Sequence, residues 1–290
     1  MELRVLNYFL VVARESNITK AAALLHVTQP TLSRQLQQLE EELAVKLYER
    51  SNHRIILTED GLLLQRKAQE IVSLADKTKR EFLSQNVQLS GEIAIGSGEL
   101  RSFSYLSSLL ASFQMKHPAI RFDVHSGNAD NIKERIEKGL LDIGLLLEPV
   151  DFGKYEFIRL PKTEVWGVLV HNDSNLANKE HIEPSDLISQ PLFVPNRTTL
   201  QSSITNWFGD LYDSLDVVGG YNLIHNIAVM VQQKMGAAFC LKLDTVYESL
   251  TFVPLSPTIE ATTILVWKKN QMQSKMIIAF LEHTRIALRA

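Results

Sequence analysis

At 290 residues, with 45% hydrophobic and 22% charged side chains, the chain has room for one small and one larger domain and the composition of an ordinary globular protein. No apolar run approaches the roughly 18 residues of a bilayer-spanning helix, and the lone cysteine, Cys240, excludes an internal disulfide and fits a reducing compartment. A net charge of −3 excludes a protein coated in positive charge, so affinity for nucleic acid would have to come from local placement of cations and from several copies of a binding unit.

The first helix is predicted over residues 2–14, where Leu3, Leu6, Phe9, Leu10 and Ala13 form a one-sided stripe. Arg4 followed by the apolar stretch Val5 to Ala13 has the outline of a signal peptide. Asn7 interrupts it, however, and the stripe suits a core helix, so a cytoplasmic location is expected. Asn17, or Ser16 before it, is a natural N-cap for a second helix whose Ile18, Ala21, Ala22 and Leu25 share a face. His26 and Val27 carry a turn, Thr28 caps a third helix, and Pro30 sits in its first turn, where a missing N–H costs nothing. In that helix Leu32, Leu36 and Leu39 point inward, leaving Gln29, Thr31, Ser33, Arg34, Gln37 and Gln38 largely outside. Gln can pair bidentately with adenine, Arg with guanine, and Ser or Thr with either, so the pair reads as a helix-turn-helix over residues 18–37 with its recognition helix second. Candidate DNA contacts are Asn17, Lys20, Gln29, Pro30, Thr31, Ser33, Arg34 and Gln37.

Short strands at Lys46–Glu49 and Ile55–Leu57 flank a polar turn, forming a wing whose Arg50, His53 and Arg54 can reach flanking phosphates or the minor groove. Thr58, followed by Glu59 and Asp60, starts a helix without Pro to about residue 85. Its stripe Leu57, Gly61, Leu64, Ala68, Ile71, Ala75, Thr78 and Phe82 alternates spacings of four and three, a coiled-coil seam that predicts a dimer through Leu64, Ala68, Ile71, Ala75 and Phe82. Two such units on a two-fold axis would read a palindrome.

From Ser90 strands and helices alternate: strand Glu92–Gly96, helix Leu100–Lys116, strand Ile120–His125, helix Ala129–Lys138 and strand Leu141–Leu147. A second series begins near Glu164: strand Val165–Val170, helix Pro184–Ile188, strand Pro191–Val194, helix Leu200–Phe208 and strand Asp216–Gly219. Helix Leu223–Lys234, strands Ala237–Leu241 and Thr262–Lys268, and a closing helix Ser274–Leu288 complete it. Two α/β lobes suggest a cleft, and ligands collect at strand C-termini against helix N-termini. Gly96-Ser97-Gly98, Ser126-Gly127-Asn128, Leu147, the Pro195–Thr199 turn and Gly219–Asn222 answer that description, and Arg101 and Arg197 are candidates for a ligand carboxylate. No metal-ligand spacing, nucleophile elbow or dinucleotide fingerprint is present, and Cys240 in an apolar run reads as a structural thiol, so neither metal, cofactor nor enzymatic activity is expected.

Several segments in fixed register resemble the LysR-type transcriptional regulators: Ser16 to Ala22 as S-x-x-T-x-A-A, Thr28 to Gln35 as T-Q-P-T-L-S-R-Q, Leu39 to Leu43 as L-E-E-E-L, and Leu57 to Gly61 as L-T-x-x-G. The resemblance implies a winged helix-turn-helix domain over 1–58, a linker helix over 59–89, and an α/β effector domain over 90–290. That last domain would have two Rossmann-like lobes resembling periplasmic binding proteins, lobe I being 90–161 with 268–290 and lobe II 162–267. The chain is expected to cross between lobes near Pro161 to Glu164 and back near Lys268. The resemblance supports Ser97, Asn128, the 195–199 turn and Tyr221-Asn222 as pocket lining, giving the effector set Ser97, Gly98, Arg101, Asn128, Leu147, Asn196, Thr198, Thr199, Tyr221 and Asn222. Its implied partners are promoter DNA, a small effector, and a second or fourth copy of the chain, with RNA polymerase a further one and no membrane. Two other classes stay open: a constitutive DNA-binding protein whose α/β domain only oligomerises, and an enzyme or solute-binding domain carrying a DNA-binding unit.

Overall fold

The computed structural model describes residues 1–51, 54–83, 89–150, 153–188, 190–196 and 204–289, the side chains of residues 50, 51 and 80–83 lying outside that description. Two units emerge, Met1–Gln85 and Asn86–Ala290.

In the first, α1 (Leu3–Glu15), α2 (Ile18–Leu24) and α3 (Gln29–Leu43) seal Phe9, Ala21, Leu32 and Leu36 from solvent. The caps are those the sequence offers. Asn17 accepts a hydrogen bond from the Lys20 N–H at 2.9 Å and Thr28 one from the Thr31 N–H at 3.4 Å, while His26 takes a left-handed φ of 55° in the turn between helices. Strands β1 (Tyr48–Ser51) and β2 (Arg54–Leu57) pair antiparallel, and the Ile55 N–H donates to the Ser16 carbonyl at 2.8 Å, tying the wing to the end of α1. The buried carboxylate of Glu40 completes the tie at the other side, accepting from the Leu47 N–H at 2.8 Å and from Lys46 Nζ at 3.1 Å.

Helix α4 (Glu59–Leu83) corrects part of the predicted seam. A Cβ on Gly61 would stand 1.9 Å from the Leu47 carbonyl oxygen, Leu64 packs on the first unit's core, and Ala68 is fully buried. This first stretch is covered by the unit's own residues and needs no second subunit. Farther along, Ile71 and Leu74 are exposed and Ala75 is half-buried; the Phe82 side chain lies outside the description.

The second unit begins with β3 (Gly91–Ser97), α5 (Phe103–Lys116), β4 (Ile120–Ser126), α6 (Ala129–Glu137) and β5 (Ile143–Leu147), giving the parallel order β4-β3-β5. Strand β6 (Tyr155–His171) leads into β7 (Leu192–Pro195), α7 (204–208), β8 (Val217–Tyr221), α8 (Ile224–Gln232) and β9 (Ala237–Leu241), in which β8-β7-β9 are parallel. After β10 (Leu250–Pro254), β11 (Glu260–Lys268) and α9 (Lys275–Ala287), the main sheet reads β4-β3-β5-β11-β6-β9-β7-β8.

The expected parallel βαβ units are thus joined by antiparallel strands. The first half of β6 pairs with β11 and its second half with β9 and β10, so β6 passes through both lobes. Its first half is not among the predicted strands, and Pro161 within it is accommodated where the β6–β11 register slips between Thr262 and Ile264. The return crossing also moves: Thr263 to Val266 already pair with β5 of the first lobe, so the chain recrosses at that slip and not near Lys268. Each lobe has its own core, around Ile95, Leu110, Phe113 and Phe280 in one and Val168, Leu192, Trp207 and Phe239 in the other.

Candidate functional site

On the first unit, α3 presents Pro30, Thr31, Arg34 and Gln37 to solvent, with Gln29 and Ser33 half-buried beside them. Gln29 Nε2 donates to Ser33 Oγ at 2.9 Å and Gln37 Nε2 to Glu41 Oε1 at 2.9 Å, so these amides are held in fixed orientations along the helix. Arg34 makes no ion pair with another described residue, and neither does the exposed Arg54 on β2. Two free guanidinium groups thus stand on the recognition helix and on the wing. Asn17 spends its carbonyl oxygen on the α2 cap, and Lys20 Nζ pairs with Glu15 at 2.7 Å. The Lys20 and then the Arg14 hydrogen bonds lower the Glu15 carboxyl below its usual range. Both Asn17 and Lys20 therefore carry local structural duties. Arg50 lies in β1 opposite Ile55, with its side chain outside the description, and His53 lies outside the described residues.

In the second unit a cavity of about 110 Å³ opens between the lobes. Of the predicted pocket residues it is lined by Gly98, Asn128, Leu147, Asn196, Tyr221 and Asn222. The topology explains the convergence, for these residues stand at the C-terminal ends of β3, β4, β5, β7 and β8. Asn128 caps α6, its side chain accepting from the Asn131 N–H at 2.9 Å. Asn196 lies flat on Gly220, where a Cβ would stand 1.8 Å from its Oδ1, and its N–H donates to the Tyr221 carbonyl at 2.7 Å. Tyr221 donates its hydroxyl to the Phe239 carbonyl at 2.7 Å; burial, followed by the charges of Cys240 and Glu99, pushes that phenol well above its ordinary range.

Two predicted residues do not line this cavity. Ser97 is buried and turns its hydroxyl to the Gly98 carbonyl at 2.8 Å. Arg101 pairs instead with Asp244 at 2.6 Å, in an adjoining cavity of about 420 Å³ that shares Gly98, Glu99, Leu100 and Leu243 with the first. Arg197, Thr198 and Thr199 lie outside the described residues.

Much of the wall carries no signal in the sequence: Glu99, Ile132, Trp166, Ile224, Cys240 and Leu243 also line the cavity. Most are apolar strand or helix residues whose side faces periodicity alone does not assign. Burial pushes the Cys240 thiol up to about 12, as befits the structural thiol expected from its apolar run. Glu164, whose role has no sequence signal either, is fully buried at the lobe crossing. It accepts from the Arg101 N–H at 3.2 Å, the Ser102 N–H at 2.8 Å and Ser102 Oγ at 2.6 Å, pinning the start of α5 to β6. Among the described residues no group of His, Cys, Asp and Glu has the arrangement of a metal site, and no helix is long and apolar enough to cross a membrane.

A winged helix-turn-helix unit carried on the same chain as an α/β unit with an inter-lobe cavity defines a DNA-binding regulator class. The family described as bacterial regulatory helix-turn-helix protein, lysR family, matches residues 3–62, and the LysR substrate binding domain matches residues 86–289. The chain belongs to the LysR family of DNA-binding transcriptional regulators. Among its relatives, the uncharacterized HTH-type transcriptional regulator YybE of Bacillus subtilis is 30% identical over 190 residues, covering 66% of this chain and 65% of that protein. The HTH-type transcriptional regulator IlvY of Escherichia coli is 28% identical over 209 residues, covering 72% of this chain and 70% of that protein. The fold is shared with CbnR in complex with its target DNA, at a TM-score of 0.77 and 21% identity, over 99% of this chain and 100% of that one.

Proposed function

We propose that this regulator binds a palindromic operator as a dimer or tetramer, reading bases with α3 and touching flanking phosphates with the wing, and that a small effector in the inter-lobe cavity alters the DNA-bound assembly. The observation that carries the DNA half is the exposed, unpaired Arg34 set among Thr31, Gln29, Ser33 and Gln37 on one outer face. A surface helix without a partner ordinarily shows Glu and Lys there, whereas this set matches base edges and phosphates. A second copy of the chain is the natural cover for the exposed apolar residues Ile71 and Leu74 of α4, and it would place two recognition helices on a two-fold axis. The effector half rests on the convergence of strand ends around a mostly apolar cavity with a few polar groups. An effector acts only if it binds two arrangements of the lobes or subunits with different affinity. A cytoplasmic location and contact with RNA polymerase follow from this role. Selection of duplexes from a random-sequence pool by the full chain tests the reading. Recovery of an inverted repeat is expected, and recovery of no common sequence would overturn it.

A further inference from the structure

Glu99 distinguishes this cavity. It is the one carboxylate among the described lining residues, and no described Lys, Arg or His lines the cavity with it. Its position is specific: Glu99 Oε2 accepts the hydrogen bond of the Ile224 N–H, the first amide of α8, from the opposite lobe. Leu223, the N-cap of α8, has no side chain able to do this, so the helix end that would otherwise receive an anion is already filled by a carboxylate of the same chain. The other Glu99 oxygen accepts no hydrogen bond from a described residue. The side-chain oxygens of Asn128 and Asn222 are already engaged by backbone N–H groups at 2.9 and 3.0 Å, which leaves their amide N–H groups as donors. The rest of the wall is hydrocarbon, from Leu145, Leu146 and Leu147 of β5 to Trp166 and Leu243.

We infer that the effector is a small amine with an apolar body, its ammonium group donating to Glu99 and its hydrocarbon lying on the β5 leucines, bound in preference to a carboxylate of the same shape. A carboxylate entering this cavity would find no cation among its described lining residues and would meet Glu99 at the helix end suited to it, whereas an ammonium adds a charge-assisted hydrogen bond to the free Glu99 oxygen. Because Glu99 bridges the lobes, a cation drawing on it also reports on the contact that holds them together. This inference rests on the reading of the cavity as the effector site.

The test uses the full chain and three probes of one shape: isoamylamine, isoamyl alcohol and isovalerate. Binding is followed by thermal shift and by fluorescence of Trp166, with Trp166→Phe identifying its share of the signal. The amine is expected to bind at least about tenfold more tightly than the carboxylate, a difference that a single charge-assisted contact supplies, and Glu99→Gln is expected to remove that preference. Isovalerate binding as tightly as the amine, or all three binding alike in both proteins, would overturn the amine assignment while leaving the cavity as a ligand site. No binding by any probe would overturn the assignment and count against the cavity itself. Should Glu99→Gln fail to fold, the amine-to-carboxylate comparison on the unaltered chain decides alone.

Discussion

Replacing Glu164 by alanine tests how the lobes are joined. The carboxylate is fully buried and holds the Arg101 and Ser102 N–H groups and the Ser102 hydroxyl, at 3.2, 2.8 and 2.6 Å. Hydrogen bonds to a charged acceptor are each worth about 1.5–3 kcal/mol, and deleting the acceptor also leaves buried donors unpaired. These contributions are not additive, and removing one member of a buried charged set typically costs about 3–5 kcal/mol in total. At roughly 2–4 °C per kcal/mol for a domain of 150–250 residues, the midpoint of the Asn86–Ala290 unit should fall by about 10 °C. Differential scanning calorimetry of the full chain reads this directly, with Ser102→Ala as a smaller loss that overlaps strongly with Glu164→Ala in the double variant. A midpoint lowered by less than about 2 °C, or losses that simply add, would refute the reasoning that Glu164 pins α5 to the crossing strand.

Gly61→Ala should destabilise the first unit by at least about 3 kcal/mol, because the added methyl would stand 1.9 Å from the Leu47 backbone oxygen; urea unfolding followed by circular dichroism measures it. Ile71→Asp is expected to weaken self-association by at least about 100-fold without unfolding the monomer, since Ile71 is 38% exposed there, and sedimentation analysis would register the change in mass. The Cys240 thiol, pushed up to about 12 by burial, should resist iodoacetamide at pH 8 in the folded protein and react once the chain is denatured. In the same residue the folded state keeps its proton while the unfolded chain loses it above about 9.0, so stability should decline from there up to about pH 12, and Cys240→Ser should lack this component of the alkaline loss.

The elements that sequence patterns exposed are those organised by local rules. Asn17 and Thr28 cap the helices their spacing suggested, and Leu32 and Leu36 face the core their periodicity implied. The strand ends that line the cavity were legible for the same reason, since Asn128, Leu147 and Tyr221 follow recognisable strands. What escaped depends on pairing between distant segments. Strand β6 carries a proline and is secured by β11, which lies about a hundred residues on; the seam residues Gly61, Leu64 and Ala68 repeat like a dimer interface yet find their cover within the first unit. Glu164 and Glu99 read in sequence as ordinary surface acids, and their roles exist only because the fold brings a helix N-terminus to each: α5 to Glu164 and α8 to Glu99. Arg101 stands off the cavity of Gly98 and Asn128 for the complementary reason, that it pairs with Asp244.

The central claim, that α3 reads DNA, is tested most directly by fluorescence-anisotropy titration of a selected duplex with the unaltered chain and with Arg34→Ala across a range of salt concentrations. The account predicts that Arg34→Ala weakens binding to that duplex by about 1–3 kcal/mol, reduces discrimination at the base pair contacted, and leaves the oligomer intact. Equal affinity and equal discrimination by the two proteins would contradict it.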